Sequence, residues 1–309
     1  MAAYRLAHEQ GADAIEPDIV VSSDGELVLR HEPNLIDTTD VSERPEFASR
    51  QTTKTVDGVH ERGWFAEDFT WAELQTLRLR ERIPQLRPSN TEWSDERMLR
   101  LEDLLELLDQ TGMHLVAELK HATHFAALGF DLGAMFAERM RAAGWADRPE
   151  QVSFECFEEQ VLHEVRARGV QGRAVYAVAA EGAAADLVTR DGAQAMTFRE
   201  QLIPSQLQRL RERGVDAVAM TKDLLLERDA DDRMVGHDLI GHMHEAGLET
   251  FVYTLRSENV FLDERFRSGG GLADQGNWPG EWRAIAATGV DWVFTDNPGW
   301  AREVLDPDF

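Results

Sequence analysis

The strongest constraint on this chain's fold is a repeated alternation. From residue 114 onward, short apolar runs alternate with amphipathic segments that close on glycine. The runs cover 114–119, 151–154, 173–178, 217–220, 250–255 and 292–295, and an earlier one covers 14–19. Each has the length of a strand, and segments such as 157–168, 204–213, 239–246 and 282–288 have the length and patterning of helices. Gly169, Gly214, Gly247 and Gly289 follow helices, where the chain turns left-handed at little cost to glycine. Alternation of this kind predicts a parallel sheet with helices outside it. The opening residues 2–10 read as a helix closed by Gly11, with Tyr4, Leu6 and Ala7 as packing positions. That helix leads straight into the run 14–19, as in the second half of a β-α-β unit. The expectation is a TIM (β/α)8 barrel, one domain over 1–309, with seven of its eight strands in this chain and the first strand missing.

Charged groups cluster at the ends of the early runs. Glu16 and Asp18 stand two apart, so on a strand both point the same way. Ser22-Ser23-Asp24-Gly25 reads as a turn, and the next run, 27–29, ends at Arg30-His31-Glu32. Glu118 and Lys120 repeat the two-residue spacing at the end of 114–119. Parallel α/β folds place their chemistry at strand ends. Glu16, Asp18 and Glu118 are expected to converge there, and three carboxylates brought together repel one another unless a cation joins them. Their hard oxygens suit Ca²⁺ or Mg²⁺ better than zinc. His31 is the candidate general acid or base, because histidine titrates near neutrality. Lys120 either meets a substrate anion or forms a salt bridge to the acids, and both can hold together. His121 and His124 are expected on the rim. Tyr253 and Arg256, at a later strand end, are candidates for contact with substrate.

Composition narrows the partners. The formal net charge is −25, from 57 acids and 32 bases. Such a chain repels nucleic acid and anionic membrane surfaces, and an anionic substrate needs a local positive site. No apolar run approaches the ~20 residues of a membrane span. Cys156 is the only cysteine, so no intrachain disulfide forms, and a buried structural role is expected for it. The opening MAAYRLAHEQG lacks the basic and apolar regions of a signal peptide, which points to the cytoplasm. A lost upstream leader would instead make the protein secreted or periplasmic.

Residues 34–95 depart from the barrel pattern. Polar stretches alternate with Phe47, Trp64, Phe65, Phe69 and Trp71. These aromatics either line a substrate entrance or form a small satellite core. Thr70 lies three residues before Glu73, the spacing of a capping box. The segment reads as an insertion after the second strand.

Taken together, the motifs resemble the glycerophosphodiester phosphodiesterase family. The resemblance rests on E-x-D at Glu16 and Asp18, S-D-G before a strand, the strand-ending His31, T-T-D-V at 38–41, E-L-K at 118–120 and T-D-N-P at 295–298. The branch it resembles is bacterial and carries an insertion, read here as T-V-D-G at 55–58, G-W-F at 63–65 and E-D-F-T at 67–70. The resemblance implies a barrel of the phospholipase C-like phosphodiesterase type. It implies metal-dependent hydrolysis of small glycerophosphodiesters to an alcohol and sn-glycerol 3-phosphate. By the same resemblance Glu16, Asp18 and Glu118 are the metal ligands, Lys120 faces the phosphate and His31 is catalytic. His31-Glu32 departs from the family's usual His-Asp. The family's His-Arg-Gly and Pro-Glu motifs, which carry a partner histidine, have no counterpart here. That implies an upstream extension and weak activity without it. A metal-binding barrel of impaired catalysis and a lysophospholipase D-like enzyme are the alternatives.

Overall fold

The computed structural model describes residues 1–93, 95–230 and 234–305. They form two compact units, one of Met1–Leu6 with Asp13–Gly172 and one of Ala7–Ala12 with Arg173 onward.

The first unit holds β1 (Ala14–Ile15), β2 (Asp18–Val21), β3 (Leu27–Leu29), β4 (Thr52–Val56), β5 (Val59–Gly63), β6 (His114–Leu119) and β7 (Val152–Cys156). Its main sheet runs β7-β6-β2-β3, with β1 also on β6. β1, β2 and β7 are parallel to β6, and β3 returns antiparallel beside β2. β6 and β7 are buried along nearly their whole length, as expected of strands covered on both faces. The turn into β3 is held by Ser22, whose hydroxyl donates to Asp24 at 2.6 Å and accepts from the Glu26 N–H at 2.9 Å.

The second unit holds β8 (Arg173–Val178), β9 (Ala217–Thr221), β10 (Glu249–Leu255) and β11 (Trp292–Thr295), in that order and all parallel. Gly169, Gly214, Gly247 and Gly289 all have positive φ, as the sequence implied.

Several boundaries differ from the sequence reading. The run 14–19 is interrupted at Glu16-Pro17, because proline has no N–H for the ladder, although its carbonyl still accepts from the Glu118 N–H at 2.9 Å. The strand read as 151–154 is 152–156, which moves Glu155 onto the sheet. The helix before β6 spans Leu101–Thr111. Helices Ala122–Ala127, Leu132–Ala142 and Ala185–Asp191 were not anticipated. Leu6, expected to pack, is exposed.

The segment 34–95, expected as an insertion, is built on the β4–β5 hairpin and short helical turns. Phe47, Trp64, Phe65 and Phe69 are buried, and Phe47 meets Phe69 edge-on at 5.1 Å. The satellite-core reading therefore holds for these four. Thr70 and Glu73 form the expected capping box on helix Trp71–Leu74. Among the described residues, no helix is long and apolar enough to cross a membrane.

Candidate active site

β2, β6 and β7 place a row of carboxylates across the first unit's sheet. Asp18 is in register with Glu118, and Glu118 with Glu155. In-register parallel neighbours project to the same face, so the three acids stand side by side. Glu16 joins them from the break between β1 and β2. Carboxylate oxygens of Glu16, Asp18 and Glu118 all lie within 4.8 Å of one another. This is the convergence expected from the spacing. Glu155 is the residue missed, because a strand ending at Phe154 leaves it in a loop.

Lys120 lies among them and is buried. Its Nζ is 2.7 Å from Glu118 Oε1 and 3.1 Å from Asp18 Oδ1. Of the two roles open to it, the salt bridge is the one the structure shows. Burial works against its charge, but Glu118 and Asp18 outweigh that and hold its pKa above the ordinary lysine value. One ammonium does not balance four carboxylates. Burial and the charges of Asp18, Glu155 and Glu118 hold Glu16 well above the usual carboxylate range. Burial also raises Glu118, opposed by Lys120 and reinforced by Asp18. Glu155 is raised by burial and then by Glu118. Oxygens Oε1 of Glu16 and Oε2 of Glu155 are shielded from solvent and have no hydrogen-bond partner among the described residues. Clustered, under-neutralised, hard oxygen donors fit a divalent cation such as Ca²⁺ or Mg²⁺.

His31 follows β3 and is exposed over half its side chain. Its Nδ1 is 2.8 Å from Glu32 Oε1. Glu32 also meets Arg82 at 2.5 Å. Burial opposes its ionisation, but His31, Arg82 and Arg30 prevail and hold its pKa down at about 2. An ionised carboxylate only accepts, so the neutral ring carries its proton on Nδ1 and has its lone pair on Nε2. Glu32, where the family's usual residue is Asp, is thus paired with the His31 ring.

His31 and Asp18 border a cavity of about 320 Å³ that Tyr4, Arg30, Thr38 and Arg82 also line. Burial, with Glu16 and Asp18 nearby, raises the Tyr4 phenol far above its ordinary value, so it stays neutral. Arg30 was not singled out from the sequence. It is 8 % exposed and donates to Thr38 Oγ1, so the T-T-D-V segment serves to position it.

The other expected residues lie elsewhere. His121 pairs with Asp57 at 2.6 Å and His124 with Glu67 at 3.0 Å, both on or beside the hairpin insertion. They are joined to the insertion and are not among the clustered acids. Cys156 is buried and donates to the Leu119 carbonyl, the structural role expected. In the second unit, Tyr253 donates to the Val178 carbonyl at 2.7 Å and Arg256 pairs with Asp296 at 2.8 Å. Both line a cavity of about 520 Å³ within that unit, with Lys222 and Phe261.

Comparison with known proteins gives a consistent answer. A stretch of 82 residues is 50% identical to the glycerophosphodiester phosphodiesterase GDPD6 of Arabidopsis thaliana, covering 26% of this chain and only 22% of that relative. Three solved structures are similar over 98% of the chain at 20% identity. One is a glycerophosphoryl diester phosphodiesterase from Silicibacter pomeroyi, with a TM-score of 0.62 over 86% of its own chain. Another is an Oleispira antarctica phosphodiesterase in complex with the product sn-glycerol-3-phosphate, with a TM-score of 0.62 over 89%. The third is a glycerophosphodiester phosphodiesterase from Agrobacterium tumefaciens, with a TM-score of 0.57 over 92%. At this identity the likeness shows the fold, the α/β TIM-barrel type expected from the strand–helix alternation. The model of the glycerophosphoryl diester phosphodiesterase family matches residues 1–300, and the chain belongs to that family.

Proposed function

We propose that the chain hydrolyses small glycerophosphodiesters, releasing an alcohol and sn-glycerol 3-phosphate, with a divalent cation held by Glu16, Asp18 and Glu118. The observation that carries this reading is the clustering of those three carboxylates within 4.8 Å, in a unit where Asp18 also borders the His31 cavity. A divalent cation bound there would supply Lewis acidity and positive charge to a phosphoryl oxygen.

The chain's own residues do the rest. Lys120 neutralises part of the charge of Asp18 and Glu118 and fixes both carboxylates. Glu32 orients the His31 ring, and Nε2 moves the proton. Water oxygen bonds to phosphorus while the phosphorus–oxygen bond to the alcohol breaks, and the alcohol leaves as ROH. His31 takes the proton that the water loses and returns it to the leaving oxygen.

The test is turnover of glycerophosphocholine by the full chain with Ca²⁺ or Mg²⁺, with both products identified. Choline with glycerol 3-phosphate is the expected pair, whereas phosphocholine with glycerol would place the cleavage on the wrong bond. His31→Ala should lower turnover by about 10²–10⁴-fold, the usual worth of a general acid or base, with cation binding intact. Near wild-type turnover would remove His31 from the reaction. Cation binding without any turnover would leave a binding protein only.

A further inference from the structure

We infer that Arg30 is a phosphate-binding residue of the His31 cavity, so that the phosphate of a phosphomonoester or phosphodiester docks on its guanidinium. The inference rests on the hydrolytic reading for the identity of the ligand, but the site is argued from its own geometry.

Arg30 borders the cavity together with His31 and Asp18. It is 8 % exposed, and its Nε has no hydrogen-bond partner among the described residues. Thr38, its hydrogen-bond acceptor, is neutral. Burial pulls the Arg30 pKa down to about 10, against Glu32 and Asp18, so the group remains charged at neutral pH. A buried guanidinium without a hydrogen-bonded anion is costly, and an incoming anion removes that cost.

The acids that line the same cavity are already engaged. Asp18 is 3.1 Å from Lys120 Nζ, and Glu32 is held by His31 and Arg82. Lys120, the cation expected to face the phosphate, is committed to Glu118 and Asp18. Of the arginines that line the cavity, Arg82 is paired with Glu32 and Arg80 with Glu43, whereas Arg30 hydrogen-bonds to neutral Thr38. In a chain of net charge −25, this is the local positive site that an anionic substrate requires. A guanidinium also offers a planar fork of donors that matches a phosphate's oxygens, which an ammonium does not.

The experiment is calorimetric titration of the full chain with inorganic phosphate and with sn-glycerol 3-phosphate, in the presence of a chelator so that no divalent cation contributes. Wild type should bind both. Arg30→Gln should weaken binding by on the order of 10- to 100-fold, the range of a charged hydrogen bond. Arg30→Lys should recover part of it, and Thr38→Val, which removes the positioning contact, should weaken it a few-fold. Divalent-cation binding should be unchanged in all three. Should Arg30→Gln fail to fold, unchanged phosphate affinity in both Arg30→Lys and Thr38→Val overturns the inference, as does unchanged affinity in a folded Arg30→Gln. Arg30-dependent phosphate binding by a chain that cleaves no glycerophosphodiester would defeat the hydrolytic reading and leave this one standing. Turnover with an unchanged KM in Arg30→Gln would do the reverse.

Discussion

Two buried lysines sit just past strand ends, one in each unit, and they keep different company. Lys120 follows β6 and faces Glu118 and Asp18, with Glu16 and Glu155 close by. Lys222 follows β9 and faces Glu281 at 2.7 Å, both side chains being almost wholly buried. The other oxygen of Glu281 accepts from the Asp263 N–H at 2.7 Å. At Lys222 one positive charge meets one negative charge and the remaining oxygen is satisfied. At Lys120 the carboxylates outnumber the ammonium, and shielded oxygens are left over. The balanced pair is what a fold needs to bury a charge. The unbalanced cluster makes sense as a place for a further cation, and it is surplus, not burial, that separates the two.

The largest effect should come from breaking the balanced pair. Glu281→Ala leaves Lys222 buried without its counter-charge, which costs about 3–5 kcal/mol for pairs of this kind. Denaturant unfolding should show that loss, while divalent-cation binding by the folded protein stays as it was. A loss below about 1 kcal/mol would mean that solvent reaches Lys222 and that the two sites differ less than their burial suggests.

Next in size is the effect of the cation. At a free concentration 100 times its Kd, a bound ion stabilises the folded state by about 2.7 kcal/mol. Wild type should show this with Ca²⁺ or Mg²⁺, and Glu16→Gln, Asp18→Asn and Glu118→Gln should each abolish it. Full cation stabilisation in all three variants would take the ion away from this cluster.

The contrast between the lysines was only half legible in the sequence. Spacing put Glu118 and Lys120 on one side at the end of β6, because a period of two leaves little choice of face, and Glu16 and Asp18 reach the same place although Pro17 interrupts their run. Glu155 escaped because a carboxylate after the apolar run 151–154 reads as the strand's end, whereas the strand continues to Cys156. Arg30 escaped for another reason. An arginine between an apolar run and a histidine reads as surface, and here the loop through Thr38 folds over it. His121 and His124 were expected at the rim, but their partners Asp57 and Glu67 lie in the insertion, far off in sequence. Long-range pairing of side chains leaves no periodic trace. The strand–helix alternation does, which is why the sheet was readable and the cover over it was not.

The smallest effect concerns Glu155 and tests the surplus directly. In the cation-free protein, burial and Glu118 hold the Glu155 pKa above its unfolded value. An acid shifted upward contributes its stability below the unfolded pKa, about 4.3, and loses it as pH rises through the folded pKa. Glu16 and Glu118 are shifted in the same direction, and Lys120 opposes the shift in all three. With a chelator present, the stability of wild type should therefore fall from mildly acid pH towards pH 8. Glu155→Gln removes one of the crowded charges and keeps the side chain's size. It should fall less steeply and be more stable than wild type near pH 8, by on the order of 1 kcal/mol, the cost of one unsatisfied buried polar group. Thermal melts across that pH range, with and without chelator, measure both slopes. A Glu155→Gln variant that is less stable than wild type at pH 8 without cation would show the Glu155 charge to be matched by Lys120. The acid cluster would then be of the same kind as the Lys222–Glu281 pair, and the case for a cation surplus there would fail.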